Sequence, residues 1–176
     1  MVKTILVAVD GSEPSRKAVK LAAQLAKNTG AKLIIATVIS DRPLTPAELG
    51  ASPEASLHPA LVAPAFASLP GEAYTLERPA GSRGSDSVRV AADRLLTRAT
   101  FEARQAGASQ VETLVESGDP AGKILGVVTS RAPDLVVVGS RGLGGRAERL
   151  LGGVSEEVIL KAPCPVLVVK PSEDEE

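Results

Sequence analysis

The stretch that decides the fold is residues 135–161, LVVVGSRGLGGRAERLLGGVSEEVILK. It begins as a continuous apolar strand and breaks at Gly139 into a glycine-rich loop that carries Arg141, Arg146 and Arg149. It resumes as a helix from about Ser155. A strand feeding a basic, glycine-rich loop that ends on a helix N-terminus is a physical recipe for holding phosphate. Backbone N–H groups approach an anion closely only where no Cβ intervenes, and the unpaired amides of the first helical turn point at it.

Outward from that stretch, the chain repeats one rhythm. Residues 4–10 (TILVAVD) form a short apolar run ended by Asp-Gly, the pattern of a strand buried on both faces. Ser12 caps the helix that follows, with Glu13 and Pro14 in its first turn. Ala18, Ala22, Leu25 and Ala26 recur at helical spacing until Gly30 stops it. Residues 32–39 (KLIIATVI) are the second strand, and a β-α-β unit of this spacing is right-handed and parallel. Helical spacing returns over 85–106 through Val88, Ala92, Leu95, Ala99 and Ala103, with Gly107 as the stop. Residues 110–116 (QVETLVE) alternate partly, as an edge strand with one wetter face does. Gly118-Asp119-Pro120 starts a helix to about Arg131 whose Ile124, Val127 and Val128 face inward. Residues 135–138 are the most hydrophobic strand and belong at the centre. Val166–Val169 forms the last strand behind Pro165, and an acidic tail follows at 172–176.

Five strands alternating with four helices specify an α/β fold, a doubly wound parallel sheet. The expected organisation is a single domain over 1–171, interrupted by an insertion at about 41–84. Seven of the thirteen prolines fall in that insertion, and no periodicity survives there beyond a short helix near 54–62. We expect it to lie near the C-terminal end of the sheet.

Composition narrows the class further. The apolar residues are almost all aliphatic, with aromatics at 2%, so the core must be built from Val, Leu, Ile and Ala, as in parallel strands covered by Ala-rich helices. A net charge of −1 provides no general attraction to nucleic acid or to an anionic membrane. No segment reaches membrane-spanning length, and the N-terminal apolar run is too short for a signal peptide. The single cysteine, Cys164, excludes an intrachain disulfide. These features point to a soluble cytoplasmic protein.

In open sheets of this kind, ligands sit beyond the carboxyl ends of the strands, where chain order reverses. Two strands end in unusual sequence, one in Asp10-Gly11-Ser12 and the other in Gly139-Ser140-Arg141-Gly142. If these strands are neighbours, Asp10 faces the glycine loop and can accept bonds from ribose hydroxyls while the loop holds phosphates. Alternatively, Asp10 and Gly11 only form a tight turn.

These residues resemble the universal stress protein family. Its nucleotide-binding members carry Gly, two residues, Gly, nine residues, Gly, then Ser or Thr, and Gly139, Gly142 and Gly152 stand at those spacings. The opening Val9-Asp10-Gly11-Ser12 and the closing APCPVLVV at 162–169 are similar to the family as well; the insertion lies outside the resemblance. The resemblance implies a five-stranded parallel sheet of order 3-2-1-4-5 with helices on both faces, a Rossmann-like, adenine nucleotide alpha hydrolase-like fold. It implies ATP as ligand, with Asp10 on the ribose, the Val38 backbone at the adenine, and Gly139, Gly142 and Gly152 allowing close approach to the phosphates. Arg141, Gly153, Val154 and Ser155 complete the expected set, and Mg²⁺ is a companion of ATP rather than the occupant of a dedicated site.

One departure stands out: Gly153 replaces the family's Ser or Thr, so a hydroxyl donor to phosphate is missing. Ser155 either substitutes for it in part or caps the helix, and Glu156 and Glu157 behind it favour the cap. Arg141, Arg146 and Arg149 either neutralise phosphate or form a solvated cluster with Glu148. His58 has no catalytic partner at a recognisable spacing and reads as a surface residue. Cys164, between two prolines beside an apolar strand, reads as structural.

The leading expectation is an ATP-binding regulatory or stress-response protein. The alternative is a dimeric interaction module with a vestigial nucleotide site. Slow ATP hydrolysis has no evident water-activating base behind it. Val166–Val169 is an apolar edge that needs covering, and family resemblance suggests that it pairs across a two-fold axis to make a homodimer.

Overall fold

The structure is a computed structural model that describes residues 1–40, 85–142 and 151–171. The insertion with its expected helix and His58, the arginines 146 and 149, and the acidic tail lie outside the described residues.

The described elements are β1 (Thr4–Ala8), α1 (Glu13–Thr29), β2 (Lys32–Ile39), α2 (Ser85–Gln105), β3 (Val111–Ser117), α3 (Pro120–Arg131), β4 (Leu135–Gly139), α4 (Gly153–Lys161) and β5 (Val166–Val169). They form one parallel sheet of order β3-β2-β1-β4-β5, the expected α/β architecture. β3 is indeed an edge, and β5 is the opposite one. β4 lies inside the sheet, but β1 holds its centre.

Alternation along the strands divides the aliphatic core into two layers. Ile5, Val7, Leu33, Ile35 and Val137 face α1 and α2, where Ala18, Ala22, Ala26, Leu96, Ala99 and Ala103 meet them. Leu6, Ile34, Ala36, Val136 and Val138 face Ile124, Val127 and Val128 of α3 and Val158 of α4. Small alanines let α1 and α2 lie close on branched strand residues. On α2 it is Leu96 that is buried, with Leu95 at the margin.

Local signals set the helix ends. The Ser12 side chain accepts from Ser15 N at 3.3 Å, and Gly30 closes α1 in the left-handed region at φ 71°. Asp119 accepts from Gly122 N at 2.8 Å and starts α3.

The start of α4 corrects the sequence reading. The helix begins at Gly153, two residues before the expected Ser155, and its N-cap is Gly152, which makes no side-chain cap bond. Ser155 therefore sits inside the first turn and is not the cap. Its hydroxyl donates to Gly139 O at 2.6 Å and ties α4 to the end of β4.

Candidate functional site

β1 pairs with β2 on one side and with β4 on the other, so the chain order reverses between β1 and β4. The turn after β1 and the loop after β4 consequently open at the same point, the C-terminal edge of the sheet.

The β1 turn is fixed by several independent bonds. Val9 N donates to Ala36 O at 2.9 Å, and the buried Thr37 hydroxyl donates to Val9 O at 2.9 Å. Gly11 then turns the chain with φ at 89°, a conformation that L side chains rarely adopt. Asp10 Oδ1 accepts from Ser12 N at 3.0 Å and from Ser12 Oγ at 2.6 Å. A tight Asp-Gly turn does form here, and it also fixes the direction of the carboxylate.

The glycines of the β4 loop differ in what their missing side chains would meet. A Cβ on Gly142 would lie 2.6 Å from Asp10 Oδ2, so the carboxylate and the loop are in contact. At Gly152, a Cβ would meet Gly142 N at 3.4 Å and Arg141 Cα at 3.5 Å, and Gly152 N donates to Ser140 O at 2.7 Å. Here the N-terminus of α4 closes on the loop. At Gly139, a Cβ would be 3.0 Å from both Pro14 Cβ and Ser15 N, so this glycine admits the first turn of α1. Among the described residues beyond its own chain neighbours, nothing lies within 4 Å of where a Gly153 side chain would begin.

Val38 lies one step along the same edge. Ala36 O accepts from Val9 N, just past the end of β1, and Ile39 O accepts from Gly118 N on the β3 side. Peptide groups in a strand alternate direction, so those of Val38 point toward β1, which has already ended at Ala8. They face the mouth of the site.

The donors converge on one region. The first backbone bond of α4 runs from Glu156 N to Gly152 O, which leaves the amides of Gly153, Val154 and Ser155 without intrahelical acceptors. Ser140, 1% exposed, carries a hydroxyl with no hydrogen-bond partner among the described residues. A buried hydroxyl left unsatisfied costs about 1–3 kcal/mol, so this one has a donor to offer at the site. Arg141 is half-buried at the start of the loop.

Asp10, Arg141, Gly142, Gly152 and the first turn of α4 are thus brought together, with Val38 at the adjoining strand end. Gly139 is nearby but turned toward α1. Among the described residues, no three His, Cys, Asp or Glu side chains gather as a metal site. Cys164 packs against the second core layer, where burial pushes its thiol above the ordinary range. Two residues escaped the sequence reading as site residues: Ser12, read only as a helix cap, and Ser140. For Ser12 the signal was available, since a serine two positions after an aspartate is placed to donate its backbone amide to that carboxylate.

Comparisons with known proteins agree with this fold. A family model described as the universal stress protein family matches residues 1–170. The universal stress protein YxiE of Bacillus subtilis is 33% identical over 170 residues, covering 97% of this chain and 100% of that protein. A universal stress protein of Thermus aquaticus matches with the same identity and coverage. Among solved structures, a universal stress protein in complex with cAMP is 27% identical with a TM-score of 0.61, covering 97% of this chain and 98% of the other. Two more distant structures share the fold: a dAMP complex from Archaeoglobus fulgidus, at 20% identity and TM-score 0.58, and an AMP complex from Arabidopsis thaliana, at 21% and 0.58. They cover 97% and 98% of this chain and 98% and 94% of theirs.

Proposed function

The chain belongs to the universal stress protein family, and on that premise we propose that it is an adenine-nucleotide-binding regulatory protein with ATP as its ligand. The observation that carries this reading is the contact between Asp10 Oδ2 and Gly142 at the β1–β4 switch point. It sets a carboxylate suited to ribose hydroxyls beside a glycine loop suited to phosphate. Relatives solved with cAMP, AMP and dAMP support an adenine nucleotide as the class of ligand.

The residues present fit that ligand. Asp10 accepts from the ribose, and the Val38 peptide groups meet the adenine edge. Gly142 and Gly152 leave room for the phosphates, while the amides of Gly153, Val154 and Ser155 and the positive end of the α4 dipole attract them. Gly139 acts indirectly, by letting α1 hold the loop's starting point. Arg141 supplies a positive charge at the start of the loop. The Ser155 hydroxyl has its proton on Gly139 O, so only its amide remains to donate to phosphate. Mg²⁺ would accompany the nucleotide and neutralise phosphate charge, since no group of three His, Cys, Asp or Glu side chains among the described residues forms a site for it.

Regulation follows from the loop. Occupancy of the mouth between Asp10, Gly142 and the first turn of α4 changes what that face presents to a partner. In this reading the protein works in the cytoplasm as a homodimer paired through Val166–Val169, the sheet's apolar edge. No helix among the described residues is long and apolar enough to cross a membrane.

Gly153 favours a second reading, a dimeric interaction module with a vestigial site, because the hydroxyl donor is absent. Thermal-shift measurements with ATP, AMP and cAMP separate the two. The proposal predicts a saturable rise in melting temperature; no shift at millimolar nucleotide contradicts it. If Gly142→Val blocks the shift but leaves cellular function intact, the scaffold reading holds.

A further inference from the structure

We propose that Ser12 is a positioning residue that aims the Asp10 carboxylate at a ribose hydroxyl, with Gly142 keeping the place into which Asp10 Oδ2 points. The inference rests on the nucleotide reading above and deepens it: it assigns sugar selectivity to a serine that otherwise serves only as a helix cap.

The two carboxylate oxygens of Asp10 have different surroundings. Oδ1 accepts both the backbone N–H and the hydroxyl of Ser12, at 3.0 and 2.6 Å. Oδ2 accepts no hydrogen bond among the described residues and lies where a Gly142 side chain would begin. One oxygen is therefore anchored by Ser12, and the other faces the loop at Gly142. A carboxylate held at one oxygen has little rotational freedom, so a sugar hydroxyl meets an acceptor that is already oriented.

Ser12 can hold it because its own hydroxyl is fixed. Ser12 Oγ accepts from Ser15 N at 3.3 Å, which directs its lone pair into the first turn of α1 and leaves its single proton to donate elsewhere. Two acceptors compete for that proton: Asp10 Oδ1 at 2.6 Å and Arg141 O at 3.4 Å. The charged, shorter partner wins. The second acceptor belongs to the glycine loop, so the same hydroxyl sits between the ribose carboxylate and the phosphate loop. Ser12 is itself buried, with 9% exposure, so water does not compete freely for the bond.

The test compares ATP with its 2′-deoxy and 3′-deoxy analogues by calorimetric titration of the full chain. Wild-type protein is expected to bind ATP about tenfold more tightly than the analogue lacking the hydroxyl that Oδ2 accepts. Ser12→Gly retains a competent N-cap residue while removing the hydroxyl. It is expected to shrink that ratio at least about threefold, mainly by weakening ATP. Ser12→Thr, which keeps a hydroxyl, restores the ratio. A residue that only capped α1 would lower the melting temperature and weaken all three ligands alike, leaving the ratio unchanged. An unchanged ratio in Ser12→Gly, or equal binding of all three nucleotides by wild type, overturns this inference while the nucleotide reading stands. Failure of wild type to bind any of the three overturns both.

Discussion

Gly153 shows how one residue can be read from both sequence and structure. The sequence marks it as a missing hydroxyl, and the structure adds that no described residue beyond its chain neighbours lies within 4 Å of where its side chain would begin. Gly153→Ser therefore displaces no described neighbour and adds a donor beside the α4 amides. We expect nucleotide affinity to rise about tenfold, since a hydrogen bond to a charged group is worth about 1.5–3 kcal/mol. An unchanged dissociation constant would place the phosphates elsewhere. The glycine spacing picks out Gly142 and Gly152, which pack closely against Asp10 and against the Arg141–Gly142 backbone, because close backbone approach leaves a signature in residue type. It did not separate Gly139, whose constraint comes from Pro14 and Ser15 in a distant part of the chain. Nor could it assign the Ser155 proton to Gly139 O. Through-space partners of this kind have no local sequence signal.

At the scale of elements, strands and helices were legible because each carries its own periodicity. Ends were less so: α4 starts on two glycines, with no capping side chain to announce it. The opposite edge of the sheet from the site is clamped by charge. Asp134, just before β4, accepts from Lys3 N at 2.7 Å and Thr4 N at 2.9 Å at the start of β1, and these bonds hold its carboxyl below its ordinary value of 3.8. Glu112 of β3 is lowered from 4.5 chiefly by the hydrogen bond from Lys32, at 2.5 Å, with Arg131 at 2.9 Å adding to it. Both folded values are depressed. Their stabilisation is thus complete above the ordinary carboxylate range and is lost as pH falls through the lowered folded values. Asp134→Asn should lower the melting temperature at pH 7, with the gap to wild type closing as acid protonates the native carboxylate. A gap that stays constant down through that range would mean that the charge contributes nothing to the clamp.

For the whole molecule, the sheet order follows from where the apolar strands must hide: β1, β2 and β4 bury Ile5, Leu33 and Val136 completely, and the wetter β3 takes an edge. β5 is the exception, an apolar strand at an edge with all four residues only partly buried. Beside it in the chain, α4 exposes Ile159 and Leu160. Light scattering at micromolar concentration should therefore report a dimer; a monomer would contradict pairing through Val166–Val169. The insertion at 41–84 was legible only as an interruption, because a segment without periodicity specifies no element. Everything else converges on the mouth between β1 and β4, and calorimetric titration of ATP into wild type and Gly142→Val tests that claim most directly. Saturable one-to-one binding in wild type, lost when the valine side chain meets the Asp10 carboxylate, is the predicted result. No heat of binding in wild type, or equal binding in both proteins, would contradict it.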